Sequence, residues 1–194
     1  MVKKFNYNLE NSIIASFQAK KSLINLNEEI ERTISIITRK LNQGGKIMLC
    51  GNGGSAADAQ HLAAEFIVRL KPKFNRKPIA AISLAQDTST ITACGNDYSF
   101  DIQFSRSLEA LGKKKDILIA ISTSGNSKNI INVLKTAKKM KIFSIGFLGN
   151  RGGKSKNLCD IPLVVNSNNT ARIQETHIFL GHFIFESVET RFIR

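Results

Sequence analysis

The residues best able to do chemistry in this chain of 194 residues lie in two short stretches that contain all three of its histidines. In Gln60-His61-Leu-Ala-Ala-Glu65 the imidazole and the carboxylate stand four positions apart, so a helix presents both on one face. Such a pair suits two ligands of a metal ion or a hydrogen-bonded acid and base, and equally a solvated helix surface. Near the other end come Gln174, Glu175, His177 and His182. On a helix, Gln174 stands about 60° from His177 and about 80° from His182, so either histidine can join it and periodicity does not choose. Asn96 and Asp97, after Thr92-Ala93-Cys94-Gly95, add further polar groups.

Two loops are candidate ligand cradles. Gly51-Asn52-Gly53-Gly54-Ser55 lets the backbone approach a ligand closely, and the helix behind it offers free N–H groups to an anion. Ser122-Thr123-Ser124-Gly125-Asn126-Ser127 brings four hydroxyls, a glycine and a helix start into six residues, a phosphate cradle built of neutral donors and a helix dipole. Taken singly, each loop is also explained by tight turns and helix caps. Gly51-x-Gly53-x-x-Ala56 matches a permissive dinucleotide fingerprint, but its nearest ribose acid, Asp87, stands too far on. Gly149-Asn-Arg-Gly-Gly153-Lys154-Ser155 resembles a P-loop with three residues instead of four between its glycines, and reads as a mobile loop.

The elements that must position these groups follow from hydrophobic spacing. From Leu9 to Leu41 apolar residues recur at three- and four-residue steps, giving one long or two shorter amphipathic helices that stop at Gly44-Gly45. Strands follow near Lys46-Cys50, Ile79-Leu84, Ile117-Ile121, Phe143-Phe147 and Ile161-Val165, with helical segments between successive runs. The stretch Arg172 to Arg194 reads as a last helix of about six turns. This is an α/β chain with a doubly wound, five-stranded parallel sheet, an N-terminal helical arm over about 1–44 and a long C-terminal helix. In the 2-1-3-4-5 order of flavodoxin-like folds, the ends of strands one and three lie side by side and bring the two loops together. No linker, repeat or low-complexity tract divides the chain, so residues 1–194 are expected to form one domain. The arm either covers the sheet or packs against another subunit.

With 42% hydrophobic and 22% charged residues, the composition is globular, and 28 basic against 15 acidic residues give a net charge of +13. That excess fits nucleic acid, a membrane surface or a phosphorylated small molecule. Its runs, Lys113-Lys-Lys115, Lys138-Lys139 and Lys154-x-Lys156, have no interleaved aromatic residues and read as solvated surface, so neither nucleic acid nor membrane is expected as a partner. Cys50, Cys94 and Cys159 are odd in number and lack C-x-x-C spacing, which points to a reducing cytoplasm. The start, Met1-Val-Lys-Lys-Phe-Asn, has no apolar segment behind its lysines, and no leader or membrane span is expected.

Taken together, Gly51-Asn-Gly-Gly-Ser55, His61-x-x-x-Glu65, Gly95-Asn-Asp97, Ile121-Ser-Thr-Ser-Gly-Asn-Ser127 and Ala171-Arg-Ile-Gln-Glu-x-His177 resemble the phosphoheptose isomerases, members of the sugar isomerase (SIS) fold, in order and spacing. The resemblance implies an aldose–ketose isomerase that converts sedoheptulose 7-phosphate into D-glycero-D-manno-heptose 7-phosphate through an enediol, the entry to heptose for bacterial surface polysaccharides. It implies that Asn52, Gly53, Gly54, Asn96 and Asp97 bind sugar, with Glu65 and Gln174 beside them, and that Ser122, Thr123, Ser124 and Ser127 bind phosphate. It further implies Glu65 and His182 as catalytic residues, His61, Glu65, Gln174 and His182 as ligands of one zinc ion per subunit, no nucleotide cofactor, and a homotetramer. The histidine left open by periodicity is thus chosen by resemblance alone. An alternative is a non-catalytic SIS regulator of the replication-initiator-binding type. Such relatives share the loops but lack the carboxylate found here at Glu65.

Overall fold

The computed structural model describes residues 8–192. The lysine-bearing start of the chain and its last two residues, on which the expectations of no leader and of a helix reaching Arg194 partly fall, lie outside them. The helical arm is two helices, α1 (Leu9–Lys21) and α2 (Asn27–Asn42), joined by a 3₁₀ turn at Ser22–Leu26. Then follow β1 (Ile47–Cys50), α3 (Gly54–Ile67), β2 (Ala81–Ser83), α4 (Thr88–Asp97), α5 (Gln103–Leu111), β3 (Ile117–Ser122), α6 (Lys128–Met140), β4 (Phe143–Leu148), β5 (Ile161–Val164) and α7 (Thr170–Glu189). Polar caps set several starts: Asn8, Asp87 and Asn169 accept from N–H groups of the first turns of α1, α4 and α7.

All five strands are parallel, in the order β2-β1-β3-β4-β5, as expected. Their runs are apolar apart from Ser83, Ser122 and Ser144 because helices cover both faces, and alternate residues feed two separate cores. Ile47, Leu49, Ile117 and Ile119 meet α2, α3 and α7 through Ile34, Ile37, Leu62, Phe66, Leu180 and Ile184. Met48, Leu118 and Ala120 meet α5 and α6 through Phe104, Leu108, Val133 and Leu134. β1 and β3 are neighbours with Cys50 opposite Ala120, so the loops that leave them emerge together.

Two expectations need correction. The β4–β5 connection is not a regular helix: residues Asn150–Leu158 form 3₁₀ turns broken at Arg151, Gly152 and Gly153, because nine residues with four successive positive-φ positions, Asn150 to Gly153, cannot propagate a helix. Nor is Gly149–Ser155 a free loop, since Gly152 and Ser155 are buried against the loop after β3. Among the described residues, no helix is long and apolar enough to cross a membrane.

Candidate active site

Helix α3 leaves the first glycine loop and carries His61 and Glu65 one turn apart, while α7 crosses it and carries His182. The two helices approach closely: Phe66 and Phe185 stack with ring centroids 3.8 Å apart, and a Cβ at Gly181 would fall 2.6 Å from the Leu62 side chain. The approach brings His61 Nε2 within 2.8 Å of His182 Nε2 and 3.4 Å of Glu65 Oε1. Ligand atoms of His61, Glu65 and His182 all lie within 4.8 Å of one another. Two imidazoles in this position can share one proton or turn both lone pairs toward a cation; with the carboxylate they form a nitrogen–oxygen donor set of the kind zinc takes. The His61 side chain is 48% exposed and that of Glu65 21%, so the cluster opens to solvent.

Gln174 completes the crossing from the second turn of α7. A Cβ at residue 54 would collide with its amide, so the bare glycine at the start of α3 lets the Gln174 amide lie where it does. Asp58, one turn on, has a buried Oδ2 without a hydrogen-bond partner among the described residues. Burial pushes its carboxyl pKa up, against the opposing pull of the Gln174 amide and of His61. Gly54, Asp58, His61 and Glu65 thus form one stripe at steps of four, three and four. That periodicity was present in the sequence, yet Asp58 was not singled out.

The second cradle is held from three sides. Ser122 Oγ accepts from Gly125 N–H at 3.1 Å, and Ser124 Oγ from Asn126 N–H at 3.1 Å, so both hydroxyl protons remain free to donate. Ser127 is the N-cap of α6, yet its side chain makes no capping bond. Gly125 has φ +64°, and a Cβ there would collide with the Gly152 carbonyl. Gly125 carbonyl accepts from Ser155 N–H at 2.9 Å, and Asn126 Oδ1 from Lys154 N–H at 3.0 Å. The P-loop look-alike is therefore a brace for the hydroxyl loop. The two cradles are joined by Asn52 and Asn129, whose amides exchange reciprocal hydrogen bonds of 2.9 and 2.8 Å. Asn129, at the start of α6, carries no sequence signal of its own.

Other candidates lie elsewhere. Asn96 and Asp97 are exposed at the end of α4, where the Asn96 amide donates to Asp97 at 2.7 Å; no hydrogen bond ties them to either cradle. Glu175 turns to the arm, accepting from Ser16 and Arg172. His177 is fully buried against Phe147, and burial lowers its pKa from 6.5 to about 4. Of the two histidines left open by periodicity, only His182 reaches the cluster. Asp87 caps α4 through Ser89 and Thr90.

A family model described as SIS domain matches residues 14–149. The phosphoheptose isomerase of Clostridium acetobutylicum is 47% identical over 184 residues, 93% of each chain. The chain belongs to the phosphoheptose isomerase family. Among solved structures of that family, one from Neisseria gonorrhoeae superposes with a TM-score of 0.83 at 41% identity, covering 93% of this chain and 94% of the other. One from Francisella tularensis gives 0.89 at 34% identity, covering 94% and 96%. The SIS match ends before α7, so Gln174 and His182 lie outside it.

Proposed function

We propose that the chain is a cytoplasmic sugar-phosphate isomerase that converts sedoheptulose 7-phosphate into D-glycero-D-manno-heptose 7-phosphate, supplying heptose for a surface polysaccharide such as lipopolysaccharide. The observation that carries this reading is the meeting of His61, Glu65 and His182 on α3 and α7, in a fold whose two ligand cradles are joined by the Asn52–Asn129 bonds. A regulator needs the loop but not the carboxylate.

In this reading the substrate phosphate sits on the hydroxyls of Ser122, Thr123, Ser124 and Ser127 and on the free N–H groups opening α6. Asn52, Gly53, Gly54 and Gln174 line the sugar, and Asn96 and Asp97 complete it. Glu65 removes the C1 proton; the electron pair of that C–H bond forms the C1–C2 double bond while O2 takes a proton from His182. His182 then takes the O1 proton, whose bonding pair makes the C1–O1 carbonyl while the C1–C2 pair takes the proton back from Glu65 at C2. No electrons enter or leave.

His61, Glu65, Gln174 and His182 would hold one zinc ion per subunit; the donor atoms of His61, Glu65 and His182 lie close enough together for it, and Gln174 would add its amide oxygen. When bound, zinc supplies Lewis acidity to the charge that develops on oxygen. The chain is taken as one domain over 1–194, and its functional unit as a homotetramer. Leu9, Ile13 and Phe17 on α1 and Ile24 beyond it are each more than half exposed, an apolar surface that suits a subunit contact. The three free cysteines suit a reducing compartment.

Glu65→Gln tests the reading: kcat is expected to fall by about 10²–10⁴-fold with fold and assembly unchanged. Full activity in that variant would remove the proposed base.

A further inference from the structure

The helices that carry the cluster are also tied at their carboxyl ends, by a buried ion pair outside every motif noted above. Arg76 Nε lies 2.7 Å from Glu189 Oε1, and each side chain is 1% exposed. Glu189 Oε1 also accepts from Leu70 N–H and Oε2 from Lys71 N–H, both at 3.0 Å. Arg76 Nη1 donates to the Phe66 carbonyl at 2.8 Å and the Lys77 carbonyl at 3.1 Å, and Nη2 to the Glu65 carbonyl at 2.9 Å.

The Glu65 and Phe66 carbonyls belong to the last turn of α3, whose carbonyls have no partner within the helix. A guanidinium fork spans them and a carboxylate together, which an ammonium cannot do. Glu189 closes α7 seven residues after His182, two turns on and on the same face. Burying two charges is costly, and an apolar pair of similar size often stabilises as well or better. The charge pair itself is therefore a weak account of stability, and what it adds is the set of directed bonds to both helix ends.

We propose that Arg76 and Glu189 are positioning residues: their ion pair fixes the ends of α3 and α7 against each other and so sets the spacing of His61, Glu65 and His182. One bond of the pair reaches the backbone of Glu65 itself. The proposal rests on the reading of that cluster as the reacting centre, and predicts a change in site geometry that thermal stability does not follow.

The test uses the full chain with two variants, Arg76→Lys, which keeps the charge and loses the fork, and the double variant Arg76→Met/Glu189→Leu, which leaves no charge unpaired. Zinc alone is titrated by chelator competition, and kcat and KM for sedoheptulose 7-phosphate are measured on the folded protein. Zinc affinity and kcat are expected to fall about tenfold or more, with KM little changed and with no correlation to melting temperature. A folded variant with the parent's zinc affinity and kcat overturns the clamp, whatever its melting temperature. If the double variant does not fold, Arg76→Lys decides by the same readouts. A parent that binds zinc without converting sedoheptulose 7-phosphate overturns the isomerase reading instead, and zinc affinity then decides the clamp.

Discussion

At the α3–α7 end of the candidate site the reactive groups are side chains set on two packed helices. At the β3 end they are hydroxyls and backbone N–H groups of a loop leaning on a second loop. Helices fix the first set through spacing and one close crossing, so each group keeps a definite place relative to its neighbour. The hydroxyl loop depends on Gly125, Gly152 and Ser155 meeting beyond the carboxyl ends of the neighbouring strands β3 and β4. A side-chain cluster of the first kind suits bond making, where small displacements matter; a collar of donors of the second kind suits holding a phosphate.

That contrast predicts different kinetic signatures. The largest effect is expected in α7: His182→Ala should lower kcat about 10²-fold or more and abolish stoichiometric zinc binding, whereas His177→Ala should do neither. Equal losses in the two variants, read by steady-state rates and metal content, would erase the distinction between cluster and core.

The next effect belongs to the hydroxyl loop. Gly125→Ala places a Cβ against the Gly152 carbonyl at a positive φ, so KM should rise about tenfold while kcat changes little. A fall in kcat at constant KM would show that the loop takes part in the chemistry.

The last effect leaves turnover untouched and concerns stability alone. His177 has a folded pKa near 4 against an ordinary 6.5, so the unfolded chain binds the extra proton first as pH falls. Its contribution is intact above about 6.5 and is lost on descent toward about 4, on the order of 3 kcal/mol in all. His177→Phe should flatten the acid limb of denaturant-measured stability over that window; an unchanged slope would mean that His177 is not held neutral by burial.

The same contrast separates what could be read from the residues and what could not. The parallel sheet and the helical character of the arm followed from apolar periodicity, because the strands are largely apolar on both faces and each helix on one; periodicity does not decide between one helix and two in the arm, and the strand order came from the likeness to flavodoxin-like folds. His61 and Glu65 were legible because helical spacing is local. The choice of His182 over His177 was not, since α7 is apolar or aromatic around both, and only its crossing with α3 separates a buried histidine from one facing His61. The bracing of Gly125 by Gly152 depends on contact between distant loops, and the same segment taken alone suggested motion. Arg76 and Glu189 were invisible for a similar reason: 113 positions separate them, and each alone is an ordinary charged residue.

The central claim, that this pair of unlike regions forms one sugar-phosphate isomerase site, is tested most directly by incubating the purified chain with sedoheptulose 7-phosphate and measuring aldose 7-phosphate, with and without a zinc chelator. The account predicts aldose formation that slows when zinc is stripped and returns when it is restored. No aldose from folded, zinc-loaded protein would contradict it.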